Sequence, residues 1–316
     1  MMNKKASAFG AFTLIVLFAL LGYLIYLLYL NLPREPIEFK NVVQENRQPE
    51  AAEHSISKQF YDSMRYQDKK INYHISDSCS ADKKQNMLNA FSVLESKTIL
   101  NFVPSGDDAQ IKILCSDVAP EAGQEDYFVA GEGGPSKVIN STLYSIILEG
   151  KIALYRDEKC SETKIAIHEL LHALGFDHNK NANSILYPTL NCNQQIDENV
   201  IEDINNLYSA NPLSDFKIFK ITASKGGRYL NFDIQVINQG IIDGQDVKMT
   251  IYQENEKVQD FDLGKIDVGS RKILTVENLK LPSISSNKIS FVVDDENKIQ
   301  ELFEDNNRED LILRAG

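Results

Sequence analysis

Three hydrophobic patterns divide the chain. Residues 9–30 are almost wholly apolar, and no charged residue occurs between Ala6 and Pro33. A helix rises about 1.5 Å per residue, so about 20 such residues cross a hydrocarbon core roughly 30 Å thick. A cleaved signal peptide has an apolar core of only about 7–15 residues and ends in small residues. Here the run is longer, and bulky Tyr26, Leu27, Leu28, Tyr29 and Leu30 fill its end. The pattern predicts an uncleaved transmembrane anchor, with Tyr23, Tyr26 and Tyr29 placed for the distal interface.

Residues 34–69 read as a stalk. Residues 41–53 are polar and carry Pro49, and Ile56, Phe60 and Met64 then fall at helical spacing, which predicts a short closing helix. From Lys70 the periods mix. Alternation predicts strands at 71–75, 100–103 and 111–115. Helical spacing of Met87, Leu88, Phe91, Val93 and Leu94 predicts a helix capped by Ser78 or Ser80 and running to Ser96. The glycine-rich segment 131–135 reads as a loop, followed by strand-like segments 137–140, 143–148 and 151–155. Ser161 can cap a helix that ends at Gly175. Val200, Ile201, Ile204, Leu207 and Tyr208 mark a last helix over 197–209. Residues 70–212 are therefore expected to form an α+β domain, a small twisted sheet with three helices.

The third pattern is strands alone. Leu230, Phe232, Ile234 and Val236 alternate with polar partners, as do Val247, Met249 and Ile251, and Ile289, Phe291 and Val293. Gly226-Gly227, Asn238-Gln239-Gly240, Asp243-Gly244 and Val268-Gly269-Ser270 supply turns. Residues 213–316 are expected to be a β-sandwich.

The 316 residues carry a formal net charge of −12, which argues against a nucleic-acid partner, because phosphate binding needs a basic face. Lys4 and Lys5 precede the apolar run and predict a cytoplasmic tip, so residues 1–33 form tip and anchor and the rest faces the exterior. All four cysteines (Cys79, Cys115, Cys160 and Cys192) follow the span. An even number outside a membrane predicts two disulfides. Three connectivities are possible, and Cys79–Cys115 with Cys160–Cys192 is the favoured one. Asn140-Ser141-Thr142 is a glycosylation sequon.

The chemistry concentrates in His168-Glu169-Leu170-Leu171-His172-Ala173-Leu174-Gly175-Phe176-Asp177-His178. On a helix His168 and His172 lie one turn apart on one face, so both imidazoles can reach one ion. Gly175 tolerates the left-handed backbone that returns the chain and brings His178 in as a third ligand. Three imidazoles leave a fourth tetrahedral position open, as in a catalytic zinc site, and Glu169 is placed to act as general base. His54, in the stalk, reads as exposed, and His74, in the first strand, as structural.

At these residues the chain resembles the metzincin metalloproteases, its matrixin-like members most, over residues 70–211. The resemblance implies a turn beneath the metal at Asn183-Ser184-Ile185-Leu186-Tyr187-Pro188. Leu186 stands where the family has methionine. It is similar in volume, and such swaps usually cost under about 1.5 kcal/mol, so it reads as packing. The tyrosine that reaches the metal in some relatives has Pro188 at its position, so Tyr187 is not a ligand. Asn179 departs from the residues that mark the best-known subfamilies. The family pairs extended substrates with an edge strand, for which 143–148, beside 131–135, is the candidate.

Residues 238–240, 246–247, 251–252, 269–270 and Val293-Asp294-Asp295-Glu296-Asn297, with Ile299, Glu301, Glu304, Asp305, Asn306 and Asn307, resemble CARDB domains, Ig-like modules of prokaryotic surface proteins. Such a domain implies adhesion to surface proteins or a spacer. Asp107, Asp108, Asp157 and Glu158 offer oxygen ligands for a structural calcium, but the plainer reading is solvated acidic loops. The expected function is a membrane-anchored zinc endopeptidase cleaving extracellular proteins. The rival is a surface scaffold with a vestigial zinc domain, against which the intact Glu169 argues.

Overall fold

The computed structural model describes residues 20–23, 57–121 and 128–313. The chain divides into two compact units, Met1–Glu53 and His54–Gly316. In the first, residues 20–23 are helical and exposed. The rest of the expected anchor, and His54, lie outside the described residues. Among the described residues no helix is long and apolar enough to cross a membrane.

The second unit opens with a six-stranded sheet built from β1 (Met64–Tyr66), β2 (Lys70–Ile75), β3 (Asn101–Pro104), β4 (Ile111–Cys115), β5 (Gly131–Asn140) and β6 (Ser145–Leu154). Strand β6 is its spine. One edge pairs in parallel with β1 over Ser145–Ile147 and with β4 over Gly150–Leu154, and the other pairs antiparallel with β5 along its whole length. Strands β2 and β3 continue the sheet beyond β4. Helix α1 (Ala81–Lys97) starts where the Ser80 side chain accepts the Lys83 N–H, and it buries Met87, Ala90, Phe91 and Leu94, one stripe at helical spacing. Phe91 stacks between Tyr73 and Phe102, with ring centroids 4.2 and 4.7 Å away, and clamps α1 onto β2 and β3. The Cys79–Cys115 disulfide joins the start of this helix to the end of β4.

Three expectations are corrected. The stalk ends earlier than residue 69, and among the described residues no helix closes it. Ser57 donates its N–H to Asp203 at 2.7 Å, and Met64–Tyr66 form a buried strand, because Arg65 and its neighbours find carbonyl and ring partners only inside the domain. Segment 131–135 is no loop but the first half of β5, where glycines allow close passage beneath a helix and Pro135 is tolerated on an edge strand. Residues 143–148 are accordingly not an edge. They enter β6, which runs through Gly150 because a side chain there would fall on the Tyr66 hydroxyl.

Helices α2 (Lys164–Ala173) and α3 (Glu198–Ser209) complete this domain. Seven antiparallel strands follow: β7 (Phe216–Gly226), β8 (Tyr229–Asn238), β9 (Gly244–Gln253), β10 (Glu256–Ile266), β11 (Arg271–Lys280), β12 (Lys288–Val293) and β13 (Arg308–Ile312). They form sheets of order β10-β9-β12-β13 and β11-β8-β7. Phe232, Ile234, Met249, Ile251 and Phe291 fill the space between the sheets. The two domains share a small core in which Ile146 of β6 packs with Ile241 and Val268. Gln67 Nε2 donates to Ile241 O at 3.2 Å, and Ser141 Oγ to Gln239 O at 3.1 Å.

Candidate metal centre

Helix α2 is buried on all sides, every residue except Ile165 being shielded from water. Such a helix needs its terminal N–H groups satisfied from within the protein. Thr163 at the N-cap makes no side-chain bond, and Ser161 is not the cap. Glu158 does the work instead: its carboxylate accepts from Ile165 N at 2.9 Å and from Lys159 N and Cys160 N at 3.0 Å each. The carboxylate that the sequence offered to calcium is thus spent on backbone, where it also favours the positive end of the helix dipole. At the other end Gly175 takes φ 99°, and a side chain there would lie 2.6 Å from Met64 Cγ, so backbone and packing both demand glycine.

This turn brings His178 against the helix. The Nε2 atoms of His168, His172 and His178 converge, separated by 2.9 Å (168–172), 3.1 Å (172–178) and 3.2 Å (168–178). Their tautomers are set from behind: His168 Nδ1 donates to Ile185 O at 2.5 Å, and His172 Nδ1 to Phe176 O at 2.6 Å. Two Nε2 lone pairs therefore face each other with no proton of their own between them, an arrangement that a shared cation relieves. The spacing fits one, since bonds of 2.0–2.1 Å to a tetrahedral zinc place ligand nitrogens about 3.3 Å apart. Among the described residues this is the one cluster of three such ligand groups. Burial pushes the His168 ring down to about 3 and the His172 ring down to about 4, so both are neutral, as ligation requires.

Glu169 lies beside the cluster, buried against β5: a Cβ on Gly131 would lie 2.7 Å from its Cγ, and one on Gly133 2.8 Å from its Cα. Burial, and then the Glu132 carboxylate, push its carboxyl up to about 8, and a cation on the neighbouring nitrogens favours its ionised form. A cleft of about 780 Å³ opens over these groups, walled by Phe60, Phe128, Gly131–Gly133, Pro188 and Leu190. Tyr155 donates to Glu132 at 2.6 Å at its rim.

Leu186 is buried and its carbonyl accepts Asn179 N at 3.0 Å, while Pro188 lines the cleft and Tyr187 does not. Several supporting residues escaped the sequence reading. Asp197 accepts from Asn179, Asn181 and Ser184, tying the turn to the start of α3. Phe60 lies 5.8 Å from the His172 ring, held there by Phe60 N→Gly175 O at 2.9 Å. Only chain-crossing contacts reveal them; Asn179 was visible as a departure without a role. The Cys160–Cys192 disulfide links the segment before α2 to the loop after the turn. His74 lies on β2, its Nδ1 3.3 Å from Ser105 O.

No curated protein matches the chain. Among solved structures, the CARDB domain of a Pyrococcus furiosus protein in complex with di-metal ions is 20% identical, covering 33% of this chain and 90% of that one, with a TM-score of 0.28. A domain assigned to a cell surface protein of Methanosarcina acetivorans is 16% identical, covering 33% and 93%, with a TM-score of 0.29. Family models match twice, Matrixin over residues 65–209 and CARDB over residues 213–310. The chain therefore joins a matrixin-like domain to a C-terminal CARDB domain.

Proposed function

We propose that this protein is a zinc-dependent endopeptidase. The observation that carries the reading is the convergence of three Nε2 atoms beside a buried glutamate, in a cleft bordered by an edge strand. His168, His172 and His178 would hold the ion, which when bound supplies Lewis acidity at its open position. Among the described residues strand β5 pairs only with β6, so its other edge can receive an extended peptide as an added strand. That pairing fixes the scissile carbonyl over the histidine cluster and excludes bulk water. Glu169 takes the proton of the attacking water and passes it to the departing amine. Buried between β5 and the helix, it can swing little, which keeps the donor and acceptor aligned through both transfers.

We place the catalytic domain outside the cell, anchored through residues 9–30, with extracellular or surface proteins as substrates and the CARDB domain as spacer or adhesive module. The four cysteines, all bonded, suit an oxidising compartment. Protease added to intact cells should remove residues 34–316; their protection would reverse the orientation. Elemental analysis of the purified chain should find one zinc, and His168→Ala/His172→Ala should find none. Full zinc in that variant would sink the ligand assignment. A metal-free wild type that cleaves nothing would favour the scaffold reading.

A further inference from the structure

A second cavity, about 590 Å³, adjoins the cleft and shares Phe128, Ala130 and Leu190 with it. Its walls come from two segments, 156–160 and 190–192, and the Cys160–Cys192 disulfide joins them, so the pocket is covalently braced. Its apolar lining is Phe128, Ile165, Leu190 and the disulfide, and its one buried member, Lys164, is turned to Glu162 and Gln194 O. Its rim is cationic. The Arg156 guanidinium lies 5.5 Å and the Lys159 ammonium 5.9 Å from the centre of the Phe128 ring, which is 60% exposed. Arg156 is fixed beside the cleft by its own backbone, whose N–H donates to Ala130 O at 3.1 Å, where β5 begins.

Among the described residues the charges around this pocket are not balanced. Glu158 is consumed by three backbone N–H groups, and Lys164 is consumed by Glu162 and by Gln194 O. Asp157 is the one remaining carboxylate of the lining, exposed and without an ion pair. Among the described residues neither Arg156 nor Lys159 has a carboxylate within ion-pair distance. Lys58, by contrast, is paired with Asp177 beside the histidine cluster. In a chain of net charge −12, two cations with no ion pair among the described residues, set on an aromatic platform at the mouth of a substrate pocket, are a local inversion.

Resting on the peptidase reading above, we infer that this pocket selects an acidic side chain of the substrate, the Glu or Asp stem lying against Phe128 and Leu190 and its carboxylate meeting Arg156 and Lys159. A glutamate stem matches the apolar faces of Phe128, Ile165 and Leu190, and its carboxylate can accept charge-assisted hydrogen bonds from both cations. The selectivity is electrostatic, so it weakens as salt rises.

The test uses the full-length chain in detergent and has two arms. In the first, a mixture of unstructured peptides is digested by wild type, by Arg156→Ala/Lys159→Ala and by Arg156→Glu/Lys159→Glu. Wild-type cuts should be enriched in Glu and Asp at a single position beside the scissile bond. The alanine pair should lose that enrichment, and the glutamate pair should turn it towards Lys and Arg, a gain that misfolding cannot produce. In the second, Glu169→Gln binds fluorescent peptides that differ only by Glu or Gln at that position, or at each position in turn if the first arm yields no cuts. The Glu peptide should bind about tenfold tighter at low salt, with parity in the alanine pair. Cleavage without acidic enrichment, or equal binding of the two peptides, overturns the inference and leaves the peptidase reading standing. Absence of cleavage and of zinc overturns the peptidase reading, and the binding arm still decides the pocket.

Discussion

Replacing Gly133 with alanine puts a methyl group where β5 passes under α2. A Cβ there lies 2.8 Å from both the carbonyl carbon and the Cα of Glu169, and closer still to its carbonyl oxygen. Carbon atoms pack comfortably at about 3.5–4.0 Å, so strand and helix must part by roughly 0.7–1.2 Å. Neither partner can yield cheaply, since the obstacle is backbone in a buried helix and β5 is laddered to β6 along its length. Overpacking of this kind costs about 1–3 kcal/mol, or about 2–4 °C of melting temperature per kcal/mol in a unit of this size. The catalytic cost is larger, because a displacement of about 1 Å in a reacting group can cost about 10²-fold. Melting curves and kcat/KM on a peptide substrate measure both effects. Gly134→Ala is the internal control: the next residue of the same strand has nothing within 4 Å of its Cβ position. It should behave like wild type. If the two variants melt and cleave alike, the close passage of β5 over Glu169 is not what places the glutamate.

In the C-terminal domain, burial pushes Glu301 up to about 8 from its ordinary 4.5, against the hydrogen bonds it accepts from Phe216 N and Asn307. The folded state then holds a proton that the unfolded state has released, so stability should fall as pH rises from 4.5 towards 8. Urea titrations at several pH values should show this slope, and Glu301→Gln should flatten it; an unchanged slope would refute the assignment. Cys160→Ser/Cys192→Ser opens a link spanning 32 residues, which by chain entropy is worth about 3–4 kcal/mol. A loss below about 1 kcal/mol by denaturant titration would show that the two walls hold together without it.

Local signals made the histidine helix legible: histidines one turn apart, a glycine where φ reaches 99°, and apolar filler at Leu186. The same reasoning misread Gly131, Gly133 and Gly134 as a loop, since glycine in sequence signals turns more often than close passage. What glycine did here depended on Glu169, 36 positions away from Gly133 in the chain. Strand β1 was hidden because Met64–Tyr66 is too short to show a period, and its partner lies in β6. The alternation of Phe232, Ile234 and Val236 survived into the sandwich intact, because a strand with one buried face repeats its pattern every second residue. Glu158 looked like a surface acid and proved to be the cap of α2, a role set by a bend that no period encodes.

The central claim is that Glu169 is the general base of a metal-dependent hydrolysis, and its isosteric amide tests this most directly. Glu169→Gln keeps the size of the side chain and all three histidines, so it should bind zinc to the same stoichiometry and melt near wild type. General acid–base assistance is typically worth about 10²–10⁴ in rate, and peptide cleavage by this variant should fall by at least that factor. Cleavage undiminished in a Glu169→Gln preparation with full zinc would contradict the account.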